Sequence, residues 1–196
     1  MYKILWMGSK VLLAALSVIV LVITISCREE PRSYNELILE VVDSLFFAFE
    51  YPSDYDDQSF YVESDIAPVN LNIFLGRSAP EGDHNEILLH IDTIEPWLER
   101  PNAKSLLDFD LELDRNSKPE FRLLERSSVM VGTIQAEQAV FSYSLSALGL
   151  GFIVERTVYF DYDGLIYNFR VSADQSVAGT ANVDFEHLLK TFKFLD

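Results

Sequence analysis

Alternation of apolar and polar side chains marks most of the chain after residue 34 as strand. The clearest case runs from Gly151 to Ala173, where Asp163-Gly164 supplies both φ > 0 positions of a two-residue hairpin turn. Closing the ribbon there sets Tyr162 against Leu165, Phe160 against Tyr167, Val158 against Phe169 and Arg156 against Val171. Val154, Val158, Phe160, Phe169 and Val171 then share one side. Ile153, Glu155, Thr157, Tyr159 and Asp161 share the other with Ile166, Asn168, Arg170 and Ser172. A slip of one residue would turn the apolar set outward, at a cost on the order of 10 kcal/mol, about the whole stability of a domain.

The same pattern places further strands upstream. Tyr34 to Val42 is ambiguous in period, with Leu37, Leu39 and Val41 favouring strand, whereas Leu45, Phe47, Phe49 and Tyr51 alternate cleanly up to Pro52. Ser53 to Gln58 reads as a polar loop, Phe60 to Val62 as a short strand, Val69 to Leu75 as a strand closed by Gly76, and Ser78 to Asn85 as a loop. Glu86 to Ile94 is strand-like. Phe121 to Val131 and Ala136 to Leu145 form two strands around Gly132.

Helical spacing appears twice. Asn102 is placed to cap a helix carrying Ala103, Leu106, Leu107 and Asp110 on one stripe, although Leu111 and Leu113 leave a strand reading open for its tail. After a small-residue loop from Ser172 to Ala181, Asn182 is read as the cap of a terminal helix with Phe185, Leu188, Leu189 and Phe192 on one stripe. That reading puts Asp184 and Glu186 in its first turn and Lys190 and Lys193 in its last. The sum is an α+β domain, a mostly antiparallel sheet of about seven strands with helices packed on it.

The N-terminus carries an address. Lys3 and Lys10 precede fifteen uncharged, mostly apolar residues from Val11 to Ile25, too few for the ~30 Å hydrocarbon core. Residues 1–26 therefore read as a signal peptide, with a single N-terminal transmembrane anchor as the alternative. Thr24-Ile25-Ser26-Cys27 resembles the lipobox of bacterial lipoproteins, which implies lipid attachment at Cys27 and a tether on the extracytoplasmic face of a cell membrane. Thr24 departs from the usual Leu, Val or Ile. Thr-x-Ser also suits ordinary signal peptidase, which would release a secreted, soluble product. Residues 27–33 then form the lipidated cysteine and polar spacer, and residues 34–196 one domain.

Composition narrows the chemistry. The 196 residues carry a formal charge of −16, which becomes −18 (13 basic against 31 acidic residues) once Lys3 and Lys10 leave with the signal peptide. That balance argues against nucleic acid as a partner. Cys27 is the one cysteine, so no intramolecular disulfide and no thiolate zinc site is available. Asp54, Asp56, Asp57, Glu63 and Asp65 lack the offsets and glycine of a calcium loop and read as a solvated acidic loop. Asp108, Asp110, Glu112 and Asp114 alternate with Phe109, Leu111 and Leu113, as in an amphipathic element. His90 reads as packed or edge-exposed. No serine sits in a nucleophile elbow, and Gly149-Leu150-Gly151 is not a dinucleotide loop. Tyr143, Tyr159, Tyr162 and Tyr167 read as sheet residues rather than a ligand cage. No catalytic residue, metal ligand or cofactor site is assigned.

Four pieces together resemble the PsbP-like family: the strand Phe47 to Pro52 with its polar loop and Tyr55; the Gly132-x-x-x-Ala136 step into the strand Ala139 to Ser144; the hairpin with Asp163-Gly164-Leu165-Ile166-Tyr167; and the terminal Leu188 to Phe194. The resemblance implies an α/β/α sandwich in an exported protein without enzymatic activity. Tyr55 stands where the family has a tryptophan. The family's photosystem binding leans on basic residues, which this acidic chain lacks, so that role is not carried over. The expected function is a non-catalytic protein-binding or assembly module with an unidentified protein partner, tethered to a membrane by its lipid anchor. The rivals are an extracytoplasmic enzyme built from dispersed carboxylates and a histidine (His84 or His90), and a small-ligand carrier.

Overall fold

The structure is a computed structural model that describes residues 32–42, 45–57, 72–78, 85–94, 102–145 and 151–195. The signal peptide, Cys27, the Phe60 to Val62 strand, Glu63, Asp65, His84, Gly149 and Leu150 lie outside these residues. Those from Ser33 onward form one compact unit. Among the described residues no helix is long and apolar enough to cross a membrane.

Among the described residues ten strands and two helices follow one another: β1 (Tyr34–Val42), β2 (Leu45–Pro52), β3 (Asp56–Asp57), β4 (Asn72–Ser78), β5 (Asn85–Ile94), α1 (Ala103–Ser117), β6 (Arg122–Val131), β7 (Ile134–Ser144), β8 (Phe152–Tyr162), β9 (Leu165–Asp174), α2 (Ala178–Thr191) and β10 (Lys193–Leu195). They make two sheets rather than one. Seven strands lie in the order β3-β4-β5-β9-β8-β7-β6, and three in the order β1-β2-β10, all paired antiparallel.

The β8–β9 hairpin closes as its turn chemistry dictates. Asp163 and Gly164 have φ of 47° and 78°, and Tyr162↔Leu165, Phe160↔Tyr167, Val158↔Phe169 and Arg156↔Val171 are partners. Both sides of this ribbon are buried. Val158, Phe160, Phe169 and Val171 face the larger core, which takes in Phe185, Leu188, Leu189 and Phe192 of α2 and Phe47 and Phe49 of β2. Ile153, Glu155, Thr157, Tyr159, Ile166 and Asn168 are buried as well, because α1 packs across β7 and β8 on that side with Leu106, Leu107 and Leu111. The result is an α+β fold.

Local chemistry explains where the elements end. The Asn102 side chain accepts from the Ser105 backbone N–H at 2.9 Å, and the Ser105 hydroxyl accepts from the Asn102 backbone N–H at 3.3 Å, a reciprocal capping box. Asp161 of β8 accepts from the Ala103 N–H at 2.9 Å and ties that helix start to the sheet. α1 runs through Leu111 and Leu113, so the helical period wins over the strand alternative. Gly132 opens the β6–β7 turn with φ +54° and no room for a side chain.

Several boundaries differ from the sequence expectation. β4 continues through Gly76 to Ser78, because Gly76 pairs with Asp56 on one side and Leu88 on the other. Two residues of the acidic loop, Asp56–Asp57, pair as β3. The small residues after Ser172 are mostly not loop: β9 extends to Asp174 and α2 begins at Ala178. Its N-cap is Val177, without a side-chain hydrogen bond, and Asn182 lies exposed inside the helix. Asp184 and Glu186 are therefore past its first turn, and Lys193 belongs to β10 rather than its last.

Candidate functional site

The face of the large sheet under α1 collects the titratable groups. β8 contributes Glu155 and Tyr159, β9 contributes Arg170, and register brings β5 alongside with His90 opposite Arg170 and Asp92 opposite Asn168. α1 adds Asp110 and Asp114, four residues apart and so on one side of a helix, and Lys118 extends the row as the C-cap.

The groups are joined in a network. Tyr159 donates its hydroxyl hydrogen to Asp110. The Arg170 guanidinium donates to the Tyr159 oxygen at 3.4 Å and lies 3.2 Å from Glu155 Oε1 through Nε, close enough to pair yet not aligned as a hydrogen bond. Glu155 Oε2 accepts from Lys118 Nζ at 3.0 Å and from the Tyr143 hydroxyl at 3.3 Å. Lys118 also pairs with Asp114 at 3.2 Å and sits over the rings of Phe141 and Tyr143. Nearby, His90 Nε2 is 3.6 Å from Asp92 Oδ2, and the His90 ring stacks on Phe74 at 4.3 Å.

Burial sets the charge states. Asp92 is pushed up from 3.8 to about 7, chiefly by desolvation, with Arg170 opposing and Asp110 reinforcing. Its Oδ1 is buried and makes no hydrogen bond. His90 is pushed down from 6.5 to about 4, again by desolvation and then by Arg170. Asp114 is raised by burial, against the pull of Lys118, and the Tyr143 and Tyr159 hydroxyls are held above their ordinary range by the same cause. A carboxyl near 7 beside a neutral imidazole has the proton affinity of an acid–base group.

A groove of other residues lies to one side. It holds about 750 Å³ between α1 and β6–β7, lined by Lys104, Asp108, Arg115, Leu123, Arg126 and others, and neither Asp92 nor His90 borders it. A smaller one beside α2, about 420 Å³, is lined by Tyr34, Arg156, Glu186, His187 and Lys190. There His187 stacks on Tyr34 at 3.7 Å and bonds Glu50 at 2.7 Å, while Arg156 pairs with Glu186 at 2.6 Å.

The residues weighed in the sequence fall as follows. Asp54 pairs with Arg77 at 3.6 Å, and no group of three or more His, Cys, Asp or Glu among the described residues is placed to hold a metal ion. His90 is packed. Of the acids on α1, Asp108 reaches out to Arg126 at 3.0 Å while Asp110 and Asp114 turn inward. Strand-like alternation groups all four acids together; the helical period separates them, and that was the signal for the network. Tyr143 and Tyr159 belong to it, whereas Tyr162 and Tyr167 join the aromatic cluster around Phe160 and Phe194.

No protein-family model matches the chain, and no curated protein matches it by sequence. Solved structures do match in fold. LpqN of Mycobacterium tuberculosis, described as involved in cell envelope biogenesis, superposes with a TM-score of 0.55 at 16% identity, over 83% of this chain and 92% of that one. The cyanobacterial PsbP protein of Synechocystis gives 0.54 at 11% identity over 86% and 96%. The yeast Ran-binding protein Mog1p gives 0.53 at 11% over 83% and 96%. The chain thus has the fold shared by PsbP and Mog1 proteins.

Proposed function

We propose that this chain is a membrane-tethered extracytoplasmic lipoprotein, anchored through Cys27, that acts as a non-catalytic protein-binding or assembly module. The observation that carries the reading is the destination of the polar groups under α1. Glu155, Arg170, Lys118, Asp110, Asp114 and Tyr159 are occupied with one another, and the groove beside them is lined by different residues. Such pairing holds a helix to a sheet and leaves function to the surface. The fold shared with LpqN and the cyanobacterial PsbP protein supports the reading, as does the position of the one cysteine.

Two experiments test it. Labelled palmitate is expected to enter the wild-type chain and not Cys27→Ala; label that survives the substitution refutes the anchor. Cross-linking in native membranes followed by mass spectrometry is expected to return a reproducible protein partner. An extracytoplasmic enzyme is the second reading, favoured by the raised Asp92 beside His90. It requires a hydrolytic or isomerase activity that Asp92→Asn abolishes without loss of fold.

A further inference from the structure

β6 ends the seven-stranded sheet, paired with β7 on one side among the described residues. Val131 and Ile134 flank the two-residue turn and form its hydrogen-bonded closing pair. Alternation from that pair aims the backbone N–H and C=O of Val129, Ser127 and Glu125 at β7. It aims those of Met130, Ser128 and Arg126 at the open edge. Edges of this kind are templates for another strand, and proteins commonly blunt them with charge. Here Leu124 is 57% exposed and Met130 52%, with Leu123 and, on α1, Leu113 also exposed.

We propose that this edge pairs with β6 of a second copy, joining two seven-stranded sheets about a two-fold axis at Ser127. Charge picks the occupant and the register. In a chain of net charge −16, β6 itself carries two arginines and one glutamate, so this edge meets a second copy without the mutual repulsion of the acidic body. An axis at Arg126 would set that guanidinium against itself. An axis at Ser128 would set Arg126 against Met130. An axis at Ser127 faces Arg126 with Ser128 and Glu125 with Val129, and sets the exposed Met130 beside the bulged, exposed Leu124 at the end of the seam, so no like charges meet. The bulge between Leu123 and Glu125 limits the seam at one end and the Gly132 turn limits it at the other.

At this axis the two Ser127 residues form a non-hydrogen-bonded pair, with Cα atoms about 4.5 Å apart, within disulfide range. The full-length chain in detergent is expected to have twice the protein mass of its Ser128→Pro variant, which loses an edge-directed N–H but no β7 bond. The dimer should strengthen as salt screens the acidic bodies. Ser127→Cys should cross-link to itself on mild oxidation, with the linked peptides identified by mass spectrometry. Val129→Cys, opposite Glu125, should not. A monomer at every salt concentration, a dimer that folded Ser128→Pro leaves intact, or a Ser127→Cys sulfur bonded to another protein's peptide overturns the proposal.

Discussion

The backbone N–H of Gly132 donates to the carbonyl of Leu189 at 2.7 Å, so the β6–β7 turn is docked on the last turn of α2. The approach is close: a Cβ on Gly132 would stand 2.4 Å from the carbonyl oxygen of Phe192. Gly132→Ala combines that clash with a left-handed φ and should cost about 2–4 kcal/mol, read as a fall in the urea midpoint. An unshifted midpoint would mean that the turn is not seated on the helix. Gly164, at φ +78° with open space around it, should lose only about 1 kcal/mol as Ala.

Glu155 is 2% exposed and holds Arg170 and Lys118 together. Glu155→Gln leaves two cations under α1 without their shared anion and should destabilise the fold by about 3–5 kcal/mol. Asp54→Asn, which breaks an exposed pair with Arg77, should cost less than about 1 kcal/mol. Chemical denaturation of the two variants side by side distinguishes these outcomes.

Asp92 and His90 predict opposed pH slopes. An acid raised from 3.8 to about 7 keeps its proton in the fold where the unfolded chain has lost it, so its contribution falls as pH rises through that window. A histidine lowered from 6.5 to about 4 has lost its proton in the fold where the unfolded chain keeps it, so its contribution rises between about 4 and 6.5. The two nearly cancel in the intact protein. Asp92→Asn should expose the rising slope and His90→Gln the falling one, each up to about 1 kcal/mol per pH unit. Urea midpoints across this range that slope the same way in both variants would contradict the assignment.

Asn102→Ala should cost about 1 kcal/mol by opening the capping box on α1. Asn182→Ala should change stability by only a few tenths of a kcal/mol, and in the favourable direction, since Asn182 is an exposed residue within α2. Helical circular dichroism followed through the thermal transition reads both.

These two asparagines show what was legible in the sequence. Asn102 precedes an apolar stripe and finds Ser105 at the right offset, so local chemistry alone marks the helix start. Asn182 offers the same signal four residues inside a helix whose first turn is Ala178-Gly179-Thr180-Ala181, weak in propensity and held by tertiary contact: Ala181 is buried in the core. The β8–β9 register was legible because one turn and ten alternating positions agree. The site was not. Asp92, Glu155 and Arg170 come together through strand order, β5 beside β9 beside β8, which no local pattern encodes. Asp110 and Asp114 join them only if the tail of α1 is helical. The second sheet was hidden for the same reason, since β10 is three residues long and finds β2 from the far end of the chain.

That last pairing has a consequence for biogenesis. Phe194 lies opposite Phe47, and the Thr191 hydroxyl accepts from the Glu50 N–H at 3.0 Å, so β2, paired with β1 directly upstream, meets its second neighbour only after residues 191–195 exist. A nascent or prematurely stopped chain leaves Phe47 and Phe49 bare, a sticky flag for chaperones and proteases. Arrival of β10 and closure of the core over β2 thereby become one event, and a chain cut short before Lys193 should be cleared rather than tolerated.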